Sequence, residues 1–497
     1  MSRLDAAVID RMKEIVGPAG VLTDAADLAR YTTDWRKRYS GPTDAILLPH
    51  TSAEVSQLMK LCHQESIEVI PQGGNTGQSG GSVPLVAQAA NVILCLTRLN
   101  KIRHIDLENN TVTVDAGVVL AALQDAAENA GRFFPLSLGA EGSCQIGGNL
   151  ATNAGGTAVL KYGNARESVL GLEVVLPNGD LWDGLRMLRK DNTGYDLKAL
   201  FLGAEGTLGV ITGAVLKLYS RPKESAVAWV AVDSMAKGVQ LLAMFRDAFE
   251  SRLSAFEYLS RAELELVLRH VPGQLDPLAG ESADCVLIEL SDSLQTGTLA
   301  SMLEDELGQA MEAGVVINAV VATSGQQASA LWKIRHSVSE ANVAHGVSLN
   351  HDVAVPTSAM PAFTAQATAH INTHFPKADV ITVAHLGDGN VHFLTIFPRD
   401  FWAGLEDPLA YAASVRRSVY DIANQHRGTF SAEHGIGQSF DQRNDPFQKR
   451  RRIGSDAPNQ VTARPEGADE SGQGVSSVTR LLHRRCGHNA GLTRLAG

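Results

Sequence analysis

An α+β protein built from two large units is predicted from three observations. Between Ala45 and Ala116 short β-rich runs alternate with a helix-period segment. Three glycine-rich stretches interrupt that first unit, where a chain needs tight turns or close backbone approach. A second series of strand-like runs, separated by amphipathic helices, extends from about Lys223 to Phe397. At 497 residues the chain exceeds what one hydrophobic core usually serves, so two or three domains are expected.

Taken in order, the opening MSRLDAAVIDRMKEIVG reads as an amphipathic helix with charges throughout, and residues 1–41 form an N-terminal helical segment. It has neither the apolar stretch nor the small-residue cleavage site of a signal peptide. In residues 42–222, AILLP reads as a strand, SAEVSQLMKLCHQ as a helix and IEVIP as a strand. A glycine-rich loop follows, then the strands NVILCL and TVTVDAG. VVLAALQDAAENAG reads as a helix, and the PNGD turn in EVVLPNGDLW signals a hairpin. VITGAVLKLYSRP closes this domain, with Arg221-Pro222 as its boundary. In residues 223–438, VAWVAV, CVLIEL and VVINAVVA read as strands of a domain expected to cap the first. Residues 439–497 are polar and turn-rich without apolar periodicity, a composition unfit for a core.

A net charge of −11 excludes the basic footprint of a nucleic-acid binder. Five cysteines with no CxxC pair fit a reducing compartment, so the cytoplasm is expected. No apolar run approaches the roughly 20 residues that span a bilayer, which leaves peripheral contact with the inner face of a membrane as the open alternative.

The first glycine-rich segment, PQGGNTGQSGGS, follows a predicted strand and can bring consecutive backbone N–H groups onto a pyrophosphate. It matches neither G-x-G-x-x-G nor the Walker pattern, and a tight turn is the alternative. The second, GSCQIGGNLATNAGG, is too glycine-rich for a helix interior and suits backbone lying against a flat ring, with asparagines and a threonine for its polar edges. The third, DNTGYDLKALFLGAEGTLGVIT, repeats the theme before an apolar strand. Together, in order and wording, they resemble the flavin-binding domain of the vanillyl-alcohol-oxidase, or PCMH-type, FAD family. The resemblance implies an α+β fold: a PCMH-type domain of two α/β subdomains with an α+β cap. It implies that Gly73, Gly74, Asn75, Thr76 and Gly77 hold the pyrophosphate, that Ser143, Gly148, Asn149, Thr152 and Asn153 line the flavin, and that Ile211 meets the adenine side. Asn75 stands where members with covalent flavin carry a histidine, so FAD is expected to bind non-covalently.

HLGDGNVH places His385 and His392 on either side of a Gly-Asp-Gly turn, and SAEHG adds Glu433 and His434. Two imidazoles and a carboxylate give zinc or another divalent metal three protein ligands and leave positions open for substrate. Taken singly, each motif is equally a pair of satisfied polar residues. A 2-hydroxy acid can chelate such a metal through carboxylate and hydroxyl, and His434 has the titration range of a general base. These two motifs resemble those of the FAD-linked 2-hydroxy-acid dehydrogenases, which act on D-lactate, glycolate or D-2-hydroxyglutarate. That branch implies zinc on His385, His392 and Glu433, His434 as base, and Asn390 at the substrate. ALWKIRHSVSEA reads as one helix, on which the resemblance makes Arg335 the partner of the substrate carboxylate, with Ser339 a hydroxyl neighbour. Asn350 in LNHDVAVP replaces a lysine of relatives that accept the dicarboxylate, which shifts the expectation toward lactate-like acids.

The expected function is oxidation of a D-2-hydroxy acid to the 2-oxo acid by hydride transfer to FAD. Electrons then pass to an electron-transfer flavoprotein, a cytochrome or a quinone, and the assembly is expected to be a homodimer. The alternative is an inactive or cofactor-binding subunit of a larger flavin oxidoreductase. The resemblance also implies a helix and an NPGK-like ending after SAEHGIG. The chain instead carries QKRRRIG and LLHRRCGHNAG, so a frameshift near Gln438 is expected, with a divergent tail as the alternative.

Overall fold

The computed structural model describes residues 4–84, 90–281 and 283–438. The frameshift expected near Gln438, and Cys486 with it, fall outside the described residues; the other four cysteines are buried free thiols.

The N-terminal helix Ala6–Val16 begins at Asp5, whose carboxylate accepts the Ala7 N–H, and packs Met12 and Val16 inward. Ala45–Leu47, Glu68–Gln72 and Asn91–Cys95 form a parallel sheet, with Val21–Leu22 added antiparallel at one edge. The helix Ser52–Gln64 makes the crossover, started by Thr51, whose hydroxyl accepts the Glu54 N–H. Every residue of Ala45–Leu47 and Asn91–Cys95 is buried, as unbroken apolar runs in a parallel sheet require. Beside this sheet lies an antiparallel one in the order Ile102–Asp106, Thr111–Asp115, Val210–Lys217, Val169–Val175, Leu181–Gly184. Its last pair is the hairpin expected at PNGD, turned at Gly179 with φ +88°. The two sheets share one core.

The expectation for GSCQIGGNLATNAGG is corrected in part. Ile146–Ala151 is a short helix despite two glycines. Burial of Ile146 and Leu150 in the domain core overrides the propensity, and a Cβ at Gly147 would crowd Ala116, so the helix needs glycine to reach the sheet.

The cap is a seven-stranded antiparallel sheet in the order Asn318–Val321, Glu224–Val232, Asp284–Asp292, Leu253–Leu259, Asp379–His385, Asn390–Phe397, Val347–Ala354. On one face Met235–Phe249, Leu299–Glu312, Met360–His374 and Pro408–Gln425 bury a core rich in phenylalanine. On the opposite face Arg261–His270, Gly325–His336 and Val338–His345 pack over a smaller apolar cluster. The last two were expected as one helix. The chain breaks between them at Ser337, whose hydroxyl donates to the Lys333 carbonyl, as a back-bonding serine does at a helix end. The flavin-binding domain reaches the cap at Lys161, which donates to the Ser291 carbonyl at 2.7 Å, and at Gly155, beside Glu433.

Candidate active site

Register across four neighbouring strands builds the cap's half of the site. Glu257 lies opposite His385, His385 opposite Asn390, His392 opposite Val383, and Asp352 opposite His392. With a side-chain period of two, Glu257, His385, His392 and Asp352 share one face. The Gly-Asp-Gly turn fixes that register. Gly389 has φ +87°, and the Asp388 carboxylate accepts the Asn390 N–H at 3.0 Å. Glu433 and His434 arrive on the loop after Pro408–Gln425, held because Asp352 Oδ2 accepts the N–H groups of Glu433 and His434 at 3.0 and 2.9 Å.

The three expected metal ligands meet: ligand atoms of His385, His392 and Glu433 lie within 4.8 Å of one another. A second group, Asp352, Glu433 and His434, satisfies the same limit, so Glu433 is common to both. His385 Nδ1 is 2.7 Å from Glu257 Oε1, which leaves Nε2 for the cluster. His392 Nε2 is 3.4 Å from Glu433 Oε1, and its Nδ1 stands 3.8 Å from Asp352 Oδ1. Both of those last atoms are buried without a hydrogen-bond partner. Buried polar atoms without partners are rare in native proteins, and a donor set of two imidazoles and a carboxylate fits a borderline divalent metal.

The electrostatics follow from burial set against charge. Burial opposes charge on His392 and pushes it down to about 3, the neutral state a ligand needs. Burial acts the same way on His385, but Glu257 overcomes it and holds His385 up to about 9. Glu257, itself wholly buried, is held down to about 2 by His385 and Arg335. Burial pushes the Glu433 carboxyl up, and it lowers its charge cost by facing the histidines.

Arg335 reaches the site from Gly325–His336, donating through Nε to Glu257 Oε2 at 2.8 Å. Among the described residues its guanidinium contacts one carboxylate oxygen, Glu257 Oε2, so other donors of its five remain for a ligand. Ser339 does not join: it is exposed beyond the break at Ser337 and bonds to none of these residues. Asn390 does join, buried, with Oδ1 unpartnered. His434 Nδ1 is 3.2 Å from Asp352 Oδ2, and its Nε2 is 3.5 Å from Glu433 Oε1. Sequence reasoning missed Glu257 and Asp352. Their signal was a lone acid inside a β-run, Phe256-Glu257-Tyr258, and the Asp two residues after Asn350 in LNHDVAVP.

On the flavin-binding side, the backbone N–H groups of Gly74, Asn75, Thr76 and Gly77 have no acceptor among the described residues. Asn75 has φ +54° and is braced by donating to the Thr33 carbonyl at 2.9 Å, while Trp35 Nε1 donates to the Gly77 carbonyl at 3.0 Å. Gly73 packs on Gln145, and a Cβ on Gly74 would collide with the Ser143 carbonyl, so the first two glycine segments touch. Gly77 and Gly148 instead face open space, with nothing within 4 Å of a built Cβ. Asn149 is buried with its amide on Cys144 Sγ, Thr152 donates to the Gly148 carbonyl at 3.0 Å, and Asn153 accepts the Arg166 N–H at 2.9 Å. Ile211 is a core residue of the antiparallel sheet, 5% exposed. Free N–H groups in series beside glycine-lined open space fit a dinucleotide's pyrophosphate and a flat ring. The two domains meet here: a Cβ on Gly155 would lie 2.7 Å from Glu433 Oε2.

A glycine-lined dinucleotide cradle facing a histidine- and carboxylate-lined cap defines a two-domain flavin-dependent oxidoreductase. The family profile "FAD binding domain" matches residues 43–184, and "FAD linked oxidases, C-terminal domain" matches residues 221–443. The chain belongs to this FAD-linked oxidase family. It is 37% identical over 441 residues to the mitochondrial D-2-hydroxyglutarate dehydrogenase of Arabidopsis thaliana, covering 88% of this chain and 76% of that one. The D-2-hydroxyglutarate dehydrogenase of Xanthomonas citri pv. viticola is 37% identical over 426 residues, covering 86% and 88%. A putative mitochondrial D-lactate dehydrogenase of Schizosaccharomyces pombe is 35% identical, covering 88% and 84%. In fold the chain is similar to alkyldihydroxyacetonephosphate synthase, with TM-score 0.70 at 18% identity over 86% of this chain and 81% of that one. It is also similar to p-cresol methylhydroxylase, with TM-score 0.66 at 17% identity over 87% and 89%. Several relatives are named mitochondrial, whereas composition alone had suggested the cytoplasm. Among the described residues no helix is long and apolar enough to cross a membrane.

Proposed function

We propose that this chain oxidises a D-2-hydroxy acid to the 2-oxo acid, with FAD bound non-covalently and a divalent metal, zinc by ligand type, on His385, His392 and Glu433. One observation carries the reading: the three-ligand cluster and the His434–Asp352 pair share Glu433, which abuts Gly155 of the flavin-binding domain. The residues that would hold the metal, the proposed proton acceptor and the glycine-lined cradle therefore lie side by side.

When bound, FAD accepts the hydride, and the metal polarises the substrate hydroxyl as a Lewis acid. The chain supplies the rest. Arg335, fixed on its Glu257 side, offers its remaining donors to the substrate carboxylate. Asn390 presents a buried, unpartnered oxygen beside His385. Asp352 Oδ2 lies 3.2 Å from His434 Nδ1 and favours a proton on that nitrogen, which leaves Nε2 to take the hydroxyl proton. The electron acceptor would be an electron-transfer flavoprotein, a cytochrome or a quinone. A homodimer is the expected assembly, checked by its mass in solution.

The relatives' names divide between 2-hydroxyglutarate and lactate, and a yeast relative is named as a D-2-hydroxyglutarate–pyruvate transhydrogenase. Asn350 stands two residues before Asp352 on the same face, with its Oδ1 buried and unpartnered. It carries no charge for a second carboxylate, which favours lactate-like acids. Anaerobic titration of the oxidised, yellow protein with D-2-hydroxyglutarate, D-lactate, glycolate, malate and L-lactate tests this, with metal content measured on the same sample. The D-acids should bleach the flavin, at about one metal per FAD. Protein that carries FAD yet is bleached by none of them overturns the reading.

A further inference from the structure

The loop that carries Glu433 and His434 is held at two ends by two different domains. Its first half belongs to the cap, through Asp352 and the N–H groups of residues 432–434. Its second half belongs to the flavin-binding domain. Glu205 Oε1 accepts the Ile436 N–H at 2.7 Å, and Oε2 accepts the Gly437 N–H at 2.8 Å. Ser79 Oγ donates to the His434 carbonyl at 3.1 Å, and the Ser79 carbonyl accepts the Gln438 N–H at 2.6 Å. The fit leaves no slack: a Cβ on Gly435 would lie 2.9 Å from the Glu205 carboxyl carbon, and one on Gly437 would collide with the Ser79 carbonyl.

Both holding residues are themselves parts of the cofactor cradle. Ser79 lies two residues beyond Gly77, on the pyrophosphate loop. Glu205 has φ +52°, a conformation costly for a side-chain-bearing residue, and it is imposed by the flavin-lining helix. The Ala151 carbonyl accepts the Glu205 N–H at 2.8 Å, and the Leu150 carbonyl accepts that of Gly203 at 3.0 Å. A ligand that orders the pyrophosphate loop and this helix thereby orders Glu205 and Ser79, and through them the loop bearing Glu433 and His434.

We infer that Glu205, with Ser79, is a positioning residue that couples occupancy of the FAD cradle to assembly of the metal ligand Glu433 and the base His434. FAD loading tightens metal binding, and by linkage the metal tightens FAD. This rests on the metal assignment proposed above. The test has two arms, each run on wild type, Glu205→Gln and Ser79→Ala, with FAD removed and restored. Glutamine can accept only one of the two N–H bonds and sets its amide against the other.

In the first arm, zinc affinity is measured directly. Wild type should bind zinc about tenfold more tightly with FAD than without, and the ratio should fall toward one in Glu205→Gln while FAD stoichiometry is kept. In the second arm, hydrogen exchange of peptides covering 431–438 is followed without added metal. FAD should slow their exchange in wild type and not in Glu205→Gln, with Ser79→Ala between the two. Equal FAD effects in wild type and Glu205→Gln in either arm overturn the coupling. If no protein binds zinc in any state, the metal assignment falls, and the exchange arm alone decides the coupling.

Discussion

In the flavin-binding domain the working groups are backbone N–H groups of one contiguous loop, Gly74 to Gly77, left open because glycine removes what would cover them. In the cap they are side chains gathered from strands and a loop as far apart in the chain as Glu257 and Glu433. The first design needs shape and tolerates most side-chain chemistry nearby. The second needs each charge to have a partner, because it is buried. Loss of a partner in the cap should therefore cost more than a change of shape in the cradle.

The largest effect is expected at Asp352, which organises the base and the loop together. Asp352→Asn keeps the volume but offers an amide where three backbone N–H groups donate and His434 Nδ1 lies 3.2 Å away. Turnover should fall about 10³-fold, in the range of lost general-base catalysis, while the flavin spectrum of the resting protein is unchanged. Stopped-flow flavin reduction measures it. A loss below about tenfold would detach Asp352 from the chemistry.

Glu257→Gln comes next, since it removes the carboxylate that buried His385 and Arg335 share. Metal affinity should weaken about 10- to 100-fold, the usual effect of losing the group that orients a metal-bound histidine. The same pair sets a pH signature in metal-stripped protein. His385 is raised from 6.5 to about 9, so its contribution to stability is full below 6.5 and is lost as pH rises through 9. Glu257 is lowered from 4.5 to about 2, so its contribution is present above 4.5 and is lost as pH falls toward 2. The loss of stability in Glu257→Gln relative to wild type should thus be largest between 4.5 and 6.5 and shrink on either side, read from denaturation midpoints of the two proteins at each pH.

The same contrast explains what the amino-acid sequence discloses. PQGGNTGQSGGS is legible because its function is local: consecutive residues supply consecutive donors. HLGDGNVH is legible because a tight turn carries its own geometry, and the hairpin sets His385 and His392 on one face. Glu257 and Asp352 are not legible as ligand-orienting acids, because nothing near them in the chain reveals which strand lies alongside. Only the order of strands in the sheet pairs Glu257 with His385 and Asp352 with His392. Ser339, implied at the substrate by resemblance alone, stands exposed beyond Ser337, where the helix carrying Arg335 stops, and nothing local in the sequence discloses that break. The helix Ile146–Ala151 defeats local propensity because burial of Ile146 and Leu150 in the domain core outweighs its two glycines.

Gly148→Ala tests the cradle half of the contrast. A methyl group there meets nothing within 4 Å, so the cofactor-free protein should keep its melting temperature. FAD affinity should fall about tenfold, the cost of one misplaced methyl against a bound ring. A lowered melting temperature without loss of FAD affinity would mean that Gly148 serves packing rather than the flavin.

The smallest effect is expected at Asn350, where the chain's own specificity is at stake. Asn350 shares the face of Asp352 and His392, yet its Oδ1 is buried without a partner, so the position is inside the site and contributes no charge. Asn350→Lys adds a cation that a distal carboxylate can pair with, and such a charge-assisted bond is worth about 1.5 to 3 kcal/mol when well formed. Part of that gain is lost to desolvating the ammonium group. The ratio of kcat/KM for D-2-hydroxyglutarate over D-lactate should rise about three- to tenfold, with kcat for lactate little changed. A ratio that stays put would place the distal end of the substrate elsewhere and return the choice between mono- and dicarboxylates to the unpaired donors of Arg335.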